Sequence, residues 1–377
     1  MTVEAPTRPT SRRRLPRSPL ALFEALATPH ALDRYLELVN PMLTVRELRA
    51  EITAVHRSTA DTVTLMLRPT RQWQGFQAGQ FVQVSIEIDG VWRTRCYSPA
   101  CSQYRADGRI ELTIKAHPQG LVSQYLHANA APGLVLRLSQ ADGTFVLPAQ
   151  RPEKVLLISG GSGITPVLSM LRTLCDEGYA GPITFLHYGY TAEDVSYRDD
   201  LRALADKHEN VTVLFAYTDS TTRTDTWSGE LYGYFGEQHL TAAAPWHADA
   251  ETFLCGPPGL MKSVQAFYAT NGLTDHLHTE QFQPTPIVID NGVPTGAVSF
   301  ERSAITADNT GETLLEQAEA AGLKPEHGCR MGICFSCTQV KTSGCTRNIL
   351  TGETNSDPDV EVQLCINAPV GDVALAI

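Results

Sequence analysis

The first half of the chain shows the alternation of apolar and polar residues that short β-strands produce. Between residues 45 and 148 this period of two recurs, with turn residues between the runs. In the clearest run, Ile110, Leu112 and Ile114 alternate with Glu111, Thr113 and Lys115. The pattern predicts a small antiparallel barrel or sandwich.

From about residue 154 the pattern changes to strands alternating with helices. Apolar runs predict buried strands at 155–159, 183–188, 211–217 and 252–255, with a helix at 199–206. After the first strand, a glycine turn leads into a second helix. Its apolar residues have the spacing i, i+3, i+4 and i+7, at Val167, Met170, Leu171 and Leu174. This alternation predicts a doubly wound parallel α/β sheet.

A third pattern follows the proline-containing segment 281–286, which we interpret as a linker. Strands are predicted near 286–290 and 297–301 and a helix near 313–321, followed by a cysteine-containing loop and closing strands. We therefore expect a helical arm over 1–46, an antiparallel barrel over 47–149, an α/β domain over 150–283 and a C-terminal domain over 284–377.

Composition narrows the class of protein. The 377 residues are 42% hydrophobic and 19% charged, as in ordinary globular domains. The net charge of −11 argues against nucleic acid as a partner. From Thr285 onward there are 12 acidic and 5 basic residues, a net charge of −7. This acidity either steers docking to a basic partner or serves only solubility.

The N-terminal segment and the cysteine count bear on the compartment. No apolar run reaches the roughly 18 residues of a membrane span. Residues 11–17 carry four arginines, and the apolar stretch 20–26 contains Glu24 and lacks a small-residue cleavage site, so we expect no secretory signal. Nine cysteines, an odd number, indicate reduced thiols or metal ligands and a cytoplasmic protein.

Three cysteines on one loop have the spacing C-x4-C-x2-C. This is the plant-type 2Fe–2S spacing, and it assigns the metal ligands Cys329, Cys334, Cys337 and, from a distant segment, Cys365. Structural zinc sites usually pair C-x2-C knuckles, which the x4 gap fits poorly, and unliganded core cysteines are the other alternative. Cys345 could replace Cys365 in principle, but it follows Cys337 too closely to close the cage.

Further motifs lie in the two preceding domains. A glycine turn with the form G-x-G-x-T-P follows a strand and opens a helix, where amides and the helix dipole suit a pyrophosphate. A strand in the barrel ends in Arg95-Cys96-Tyr97-Ser98, and Gly120-Leu121-Val122-Ser123 opens a short helix near 123–126. The strand at 252–255 ends in Cys255-Gly256-Pro257-Pro258.

Taken together, residues 47–377 resemble the ferredoxin–NADP reductase superfamily with a C-terminal ferredoxin domain of the β-grasp fold. The resemblance implies that Arg95 holds a flavin phosphate, that Tyr97 packs on the flavin and that Ser98 hydrogen-bonds near its N5 atom. The turn at Gly120, Leu121, Val122 and Ser123 would bind the pyrophosphate of FAD, although FMN stays open.

The same resemblance assigns the nicotinamide site. Its cofactor-binding residues would be Gly161, Gly163, Thr165, Pro166, Cys255, Gly256 and Pro257. Cys255 would lie beside the nicotinamide ring, and Ser98 and Cys255 are the expected catalytic residues. In the sequence Glu280-Gln281-Phe282, Phe282 would stack on the flavin, or it is a core phenylalanine. Thr218-Asp219 disfavours a 2′-phosphate while Arg223 favours one, so NADH and NADPH both remain open.

The expected function is electron transfer from NADPH or NADH through FAD and the 2Fe–2S cluster to an oxygen-activating iron protein. A membrane fatty-acyl desaturase or an alkane hydroxylase is the preferred partner, since the arm resembles that of actinobacterial reductases serving desaturases. A Rieske-type oxygenase is the alternative partner, and a non-catalytic redox sensor the alternative function. We expect a monomer whose arginine-rich arm contacts an anionic inner membrane surface.

Overall fold

A computed structural model describes residues 32–118, 120–219, 230–282, 294–328, 330–332 and 335–377. The predicted strand at 286–290, most of the predicted linker, Arg223, Cys329 and Cys334 lie outside these residues. The described residues form three six-stranded sheets, one in each predicted domain. Among them, no helix combines the length and apolar character needed to cross a membrane.

The first sheet is an antiparallel barrel. Its strands pair in the order β4-β3-β6-β1-β2-β5, and a bridge between Pro99 and Leu112 joins the end of β4 to β5. Inward residues from every strand form one apolar core, as the period-two pattern predicts. The elements are β1 (Arg49–Thr59), β2 (Thr62–Pro69), β3 (Val82–Ile88), β4 (Val91–Tyr97), β5 (Ile110–Lys115), α2 (Leu121–Asn129) and β6 (Val135–Leu138).

One polar position of the barrel departs from the predicted alternation. Glu111 was expected on the polar side of β5, yet only 8% of it is exposed. Its carboxylate accepts hydrogen bonds from Arg172 (2.7 Å) and from the hydroxyl of Tyr197 (2.8 Å), both in the α/β domain. Partners from another domain thus compensate the burial of this charge, which periodicity within one strand does not reveal.

The second sheet is parallel, with the order β10-β9-β8-β7-β11-β12 and helices on both faces. The predicted strand and helix bounds agree with the observed ones to within one residue. The strands are β7 (Val155–Gly160), β8 (Ile183–Gly189), β9 (Val211–Tyr217), β10 (Glu230–Tyr232), β11 (Glu251–Cys255) and β12 (Leu277–Glu280). The helices are α3 (Ile164–Asp176), α4 (Arg198–Lys207), α5 (Glu237–Ala243) and α6 (Pro258–Thr270). The strand order reverses between β7 and β11, which is the topological switch point where such sheets bind ligands.

The third sheet packs against one helix, as in a β-grasp fold. Its strands pair in the order β14-β13-β18-β15-β16, with β17 also on β15 and β13 parallel to β18. A capping box between Thr313 and Glu316 starts the helix. The elements are β13 (Ala297–Phe300), β14 (Ile305–Asp308), α7 (Leu314–Ala320), β15 (Thr338–Asn348), β16 (Thr354–Asn355), β17 (Val360–Gln363) and β18 (Asn367–Leu375).

The described part of the N-terminal arm contains a short helix, α1 (Leu32–Glu37), and is fixed to the barrel by charged groups. The carboxylate of Asp33 accepts hydrogen bonds from the backbone amides of residues 45–47. Arg49, only 2% exposed, donates to Glu37 (3.1 Å) and to the carbonyl of Pro41 (2.9 Å). These contacts hold residues 33–47 against β1.

Candidate functional site

The glycine turn lies at the switch point of the parallel sheet, between β7 and α3. A Cβ on Gly163 would lie 2.3 Å from the carbonyl oxygen of Cys255, and one on Gly160 would lie 2.8 Å from Pro257. Only glycine allows the turn to pack this closely on the 255–257 loop. No side chain caps the first turn of α3. The helix start can therefore receive the pyrophosphate of a nucleotide.

Two other predicted cofactor-binding residues, Thr165 and Pro166, are buried in the first turn of α3. Thr165 is 3% exposed, and its hydroxyl donates to the carbonyl of Ser162 (3.3 Å). Pro166 is buried in the same helix. Both side chains therefore shape the start of α3.

Cys255 ends β11 at the same edge of the sheet. It pairs with Ser159 of β7 on one side and with Glu280 of β12 on the other. The side chain is fully buried, and this burial raises the pKa of its thiol well above the usual value. The negative charge of Glu280 raises it further. Cys255 is therefore a neutral thiol at physiological pH and not an activated nucleophile.

Ser98 is the residue of the barrel that lies beside this edge of the parallel sheet. It is 2% exposed, and within the described residues neither its hydroxyl nor the Oε2 atom of Glu280 has a hydrogen-bond partner. Burial raises the pKa of Glu280 to about 8, and the nearby Ser98 hydroxyl partly opposes this rise. Ser98, Cys255 and Glu280 thus converge where the two domains meet. Unsatisfied buried polar atoms need an explanation, and a bound ring with hydrogen-bonding atoms supplies one.

Phe282 lies just beyond this cluster. Its half-buried ring packs against the core that also contains Ala100 and Cys255. The position agrees with both readings of this residue, a flavin-stacking ring and a core phenylalanine.

The remaining flavin residues lie on β4 and at the start of α2. Tyr97 packs against the barrel core. The helix α2 begins at Leu121, two residues before the predicted start, with Gly120 as its N-cap. Val122 is buried, whereas Leu121 is half exposed. The hydroxyl of Ser123 donates to the Gly120 carbonyl (3.0 Å) and accepts from the amide of His117 (3.1 Å).

Arg95 has a neighbour that the sequence does not indicate. Its Nη1 atom donates to two backbone carbonyls, those of Thr94 and Gly328, each at 2.7 Å. Gly328 directly precedes Cys329, the first residue of the cysteine motif. A residue of the flavin motif therefore contacts the cluster-binding loop of the C-terminal domain.

The two described cysteines of the cluster motif lie side by side in that domain. Cys337 precedes β15, Cys365 follows β17, and these two strands pair. The amide of Cys365 donates to the sulfur of Cys337 (3.5 Å). Before Cys337, the loop turns sharply through the left-handed residues Arg330, Gly332 and Phe335. This curvature and the amide–sulfur hydrogen bond fit a loop that wraps a cluster.

Cys345 is the other candidate for the fourth ligand. It is the eighth residue after Cys337, within β15, where it pairs with Val370 of β18. Val370 is five residues after Cys365, and β15 is irregular between Lys341 and Ser343 and between Gly344 and Cys345. Cys345 therefore lies inside a paired strand and outside the contact between Cys337 and Cys365, and its exclusion as the fourth ligand stays a prediction.

Glu280 is the site residue that sequence reasoning did not assign. It belongs to the Glu280-Gln281-Phe282 segment, in which only the phenylalanine received a role. The available signal was its position at the end of β12, because carboxyl ends of parallel strands meet at one edge.

Comparisons with known proteins agree with this arrangement of domains. Residues 49–147 match the oxidoreductase FAD-binding domain, residues 157–266 the oxidoreductase NAD-binding domain, and residues 299–369 the 2Fe-2S iron-sulfur cluster binding domain. The structure of phthalate dioxygenase reductase superposes with a TM-score of 0.58 at 22% identity, covering 88% of this chain and 98% of that one.

Two of the curated relatives that align with most of the chain illustrate the similarity. A protein of Mycobacterium tuberculosis named NADPH oxidoreductase is 35% identical over 360 residues, covering 93% of this chain and 90% of the relative. The glycine betaine monooxygenase reductase subunit of Chromohalobacter salexigens is 30% identical over 321 residues, covering 80% and 87%. With its FAD-binding, NAD-binding and 2Fe–2S domains in this order, the chain belongs to the ferredoxin–NADP reductase superfamily and is an NAD(P)H-dependent flavin and iron–sulfur oxidoreductase.

Proposed function

We propose that this reductase takes hydride from NADPH or NADH and delivers single electrons to an oxygen-activating iron protein. The observation that best supports the proposal is the meeting of Ser98, Cys255 and Glu280 at the switch point of the parallel sheet. There the nucleotide domain and the flavin barrel can align two flat rings face to face, and alignment is the main task of a hydride-transfer enzyme.

The side chains have distinct tasks in this proposal. Bound FAD supplies a hydride acceptor that can release its two electrons one at a time. The amides of the 161–163 turn hold the nicotinamide cofactor's pyrophosphate, and the neutral Cys255 packs beside its ring. The Ser98 hydroxyl donates toward the N5 atom of the flavin. Gly120 and Ser123 place the α2 start near the FAD pyrophosphate, and Arg95 adds positive charge.

We assign the cluster to Cys329, Cys334, Cys337 and Cys365. The contact between Cys365 and Cys337 supports Cys365 as the fourth ligand, and the pairing of Cys345 with Val370 inside β15 argues against the alternative. When bound by these cysteines, a 2Fe–2S cluster would accept one electron at a time, so the loop would pass the two electrons of a hydride to the partner singly.

The proposed partner is a membrane fatty-acyl desaturase or an alkane hydroxylase. A second candidate, a Rieske-type oxygenase, is favoured by the relative named as a monooxygenase reductase subunit. Two features of the C-terminal domain suit docking to either: its net charge of −7, and Phe335, which is 66% exposed on the cluster loop. Acidic surfaces steer association with basic ones, and this effect weakens with salt.

The arm supports a location at the membrane surface. Leu38 and Val39 are 85% and 80% exposed just after α1, on a segment that Asp33 and Arg49 fix to the barrel. The arginines at 11–17 would add about 1 kcal/mol each on an anionic surface. Sedimentation with phosphatidylglycerol vesicles tests this contact. Replacing Leu38 and Val39 with aspartate should weaken binding, and equal binding by both proteins would argue against the arm.

Reconstitution tests the function. Purified protein should contain about two irons and one FAD per chain, and steady-state kinetics with NADPH and NADH should give its cofactor preference. Desaturase-containing membranes and a purified Rieske oxygenase are then supplied separately as acceptors. Turnover with one acceptor identifies the partner class. Zinc in place of iron would refute the cluster. Slow turnover with every acceptor, together with binding that depends on cluster oxidation state, would favour a redox sensor.

A further inference from the structure

The contact between Arg95 and Gly328 joins two parts of the proposed electron path. The two residues are 233 positions apart in sequence, and the hydrogen bond from Nη1 to the Gly328 carbonyl is 2.7 Å long. Gly328 is buried, although it belongs to a loop. A charged donor on a buried carbonyl is among the stronger hydrogen bonds in proteins. This contact therefore fixes the start of the cluster loop on β4.

The positions of the two residues make the contact functionally relevant. Arg95 lies three residues before Ser98, so about 10 Å of strand separates it from the proposed hydride site. On the other side, Gly328 is bonded directly to Cys329, a proposed cluster ligand. The hydrogen bond therefore spans the gap between the site that receives electrons and the group that exports them.

A second arginine of β4 lies on the face from which Arg95 reaches the loop. Arg93 is two residues before Arg95, so both side chains project from one face of the strand. The hydrogen bond from Arg95 to Gly328 therefore places the loop on the arginine-bearing face of β4.

We propose that Arg95 is a positioning residue that holds the cluster loop against the flavin-bearing strand and so sets the rate of electron transfer from FAD to the cluster. The inference rests on the proposed electron path. It adds a second task to a residue expected only to bind a flavin phosphate. A guanidinium has five N–H donors on three nitrogens, and the contact with the carbonyls of Thr94 and Gly328 is made by one of those nitrogens, Nη1.

Hydrogen exchange tests the contact without relying on activity. In FAD-free protein, Arg95→Gln should raise amide exchange in residues 325–332 by about tenfold or more, the loss expected for one charge-assisted hydrogen bond. Arg95→Lys keeps the charge but not the fork, so it should restore part of the protection. Arg137→Lys is the matched control, because Arg137 stacks on Trp92, whose side chain leaves β4 on the opposite face from Arg95.

Rapid kinetics then test the functional consequence at saturating FAD. At equal FAD occupancy, cluster reduction by the flavin should slow by about tenfold or more in Arg95→Gln and by less in Arg95→Lys, each measured relative to the rate of flavin reduction by NAD(P)H in the same reaction and in step with the lost protection. Unchanged exchange in residues 325–332 would overturn the proposal, and so would wild-type cluster reduction despite increased exchange. Absence of FAD or iron from the wild-type protein would instead refute the proposed function and leave the exchange result standing.

Discussion

From the buried carboxyl of Glu280 we predict how the free energy of unfolding depends on pH. Burial raises the pKa of Glu280 from 4.5 to about 8 in the folded, FAD-free protein. Between these values the folded state binds one proton that the unfolded state has released. The free energy of unfolding therefore falls as pH rises, by about 1.4 kcal/mol per pH unit. The stabilisation is fully present below pH 4.5 and is lost as pH rises through 8.

The size of the effect over the whole window has an upper limit of about 5 kcal/mol. The residue keeps some solvent contact, so we expect about 2–3 kcal/mol between pH 5 and pH 8. For the barrel and α/β domains unfolding together, a loss of this much unfolding free energy corresponds to a fall of roughly 5–10 °C in melting temperature. Glu280→Gln removes the titrating proton while keeping the shape. Its melting temperature should therefore lack this component of the pH dependence.

The assay is thermal unfolding of FAD-free wild-type and Glu280→Gln protein between pH 5 and pH 9. The melting temperature of the glutamine variant minus that of the wild type should increase from pH 5 to pH 8 and then level off. Taking this difference cancels the titration of all other groups. Glu193→Gln, at an exposed position in the same domain, controls for the loss of one negative charge. A melting-temperature difference that stays constant, or that decreases with rising pH, would show that Glu280 ionises like an ordinary glutamate.

Two further predictions concern the cluster domain. Cys365→Ser should reduce iron from about two per chain to near zero and abolish the iron–sulfur absorbance, while Cys345→Ser should leave both largely intact; the reverse result would contradict the ligand assignment. A chain ending after Phe282 should keep FAD and ferricyanide reduction, because, among the residues that the structure describes, the barrel and α/β cores contain none from the C-terminal domain. It should lose most cytochrome c reduction and all partner turnover, and retained partner turnover would show that electrons leave directly from the flavin.

Much of the fold could be predicted because each domain has its own hydrophobic period. Val155 to Ser159 form a continuous apolar strand whose two faces are covered by helices, so its burial is evident from sequence. The start of α2 was placed two residues late, because Leu121 is half exposed and its residue type gives no start signal. Glu111 was misplaced because its partners Arg172 and Tyr197 come from a different domain. Local pattern fails where tertiary contacts decide burial.

The site was predictable as separate motifs but not as an arrangement. The turn at Gly163 and the loop at Cys255 both have recognisable spacing, yet only the structure shows that their backbones touch. The environment of Glu280 depends on burial by segments far away in sequence. Likewise, nothing in the sequence near Arg95 indicates a hydrogen bond 233 residues away. Spacing identifies the chemistry that a segment suits, whereas convergence of distant segments determines charge state and distance.

Strand β4 explains how one chain can combine hydride chemistry with electron export. The Arg95 side chain leaves this strand and donates to the Gly328 carbonyl, so a side chain fixes the loop of the C-terminal domain to β4. The same loop leaves Phe335 exposed seven residues later. In the proposed electron path, electrons would therefore enter the cluster loop at the end fixed to β4, and Phe335 would contact the partner, so the domains would not have to separate.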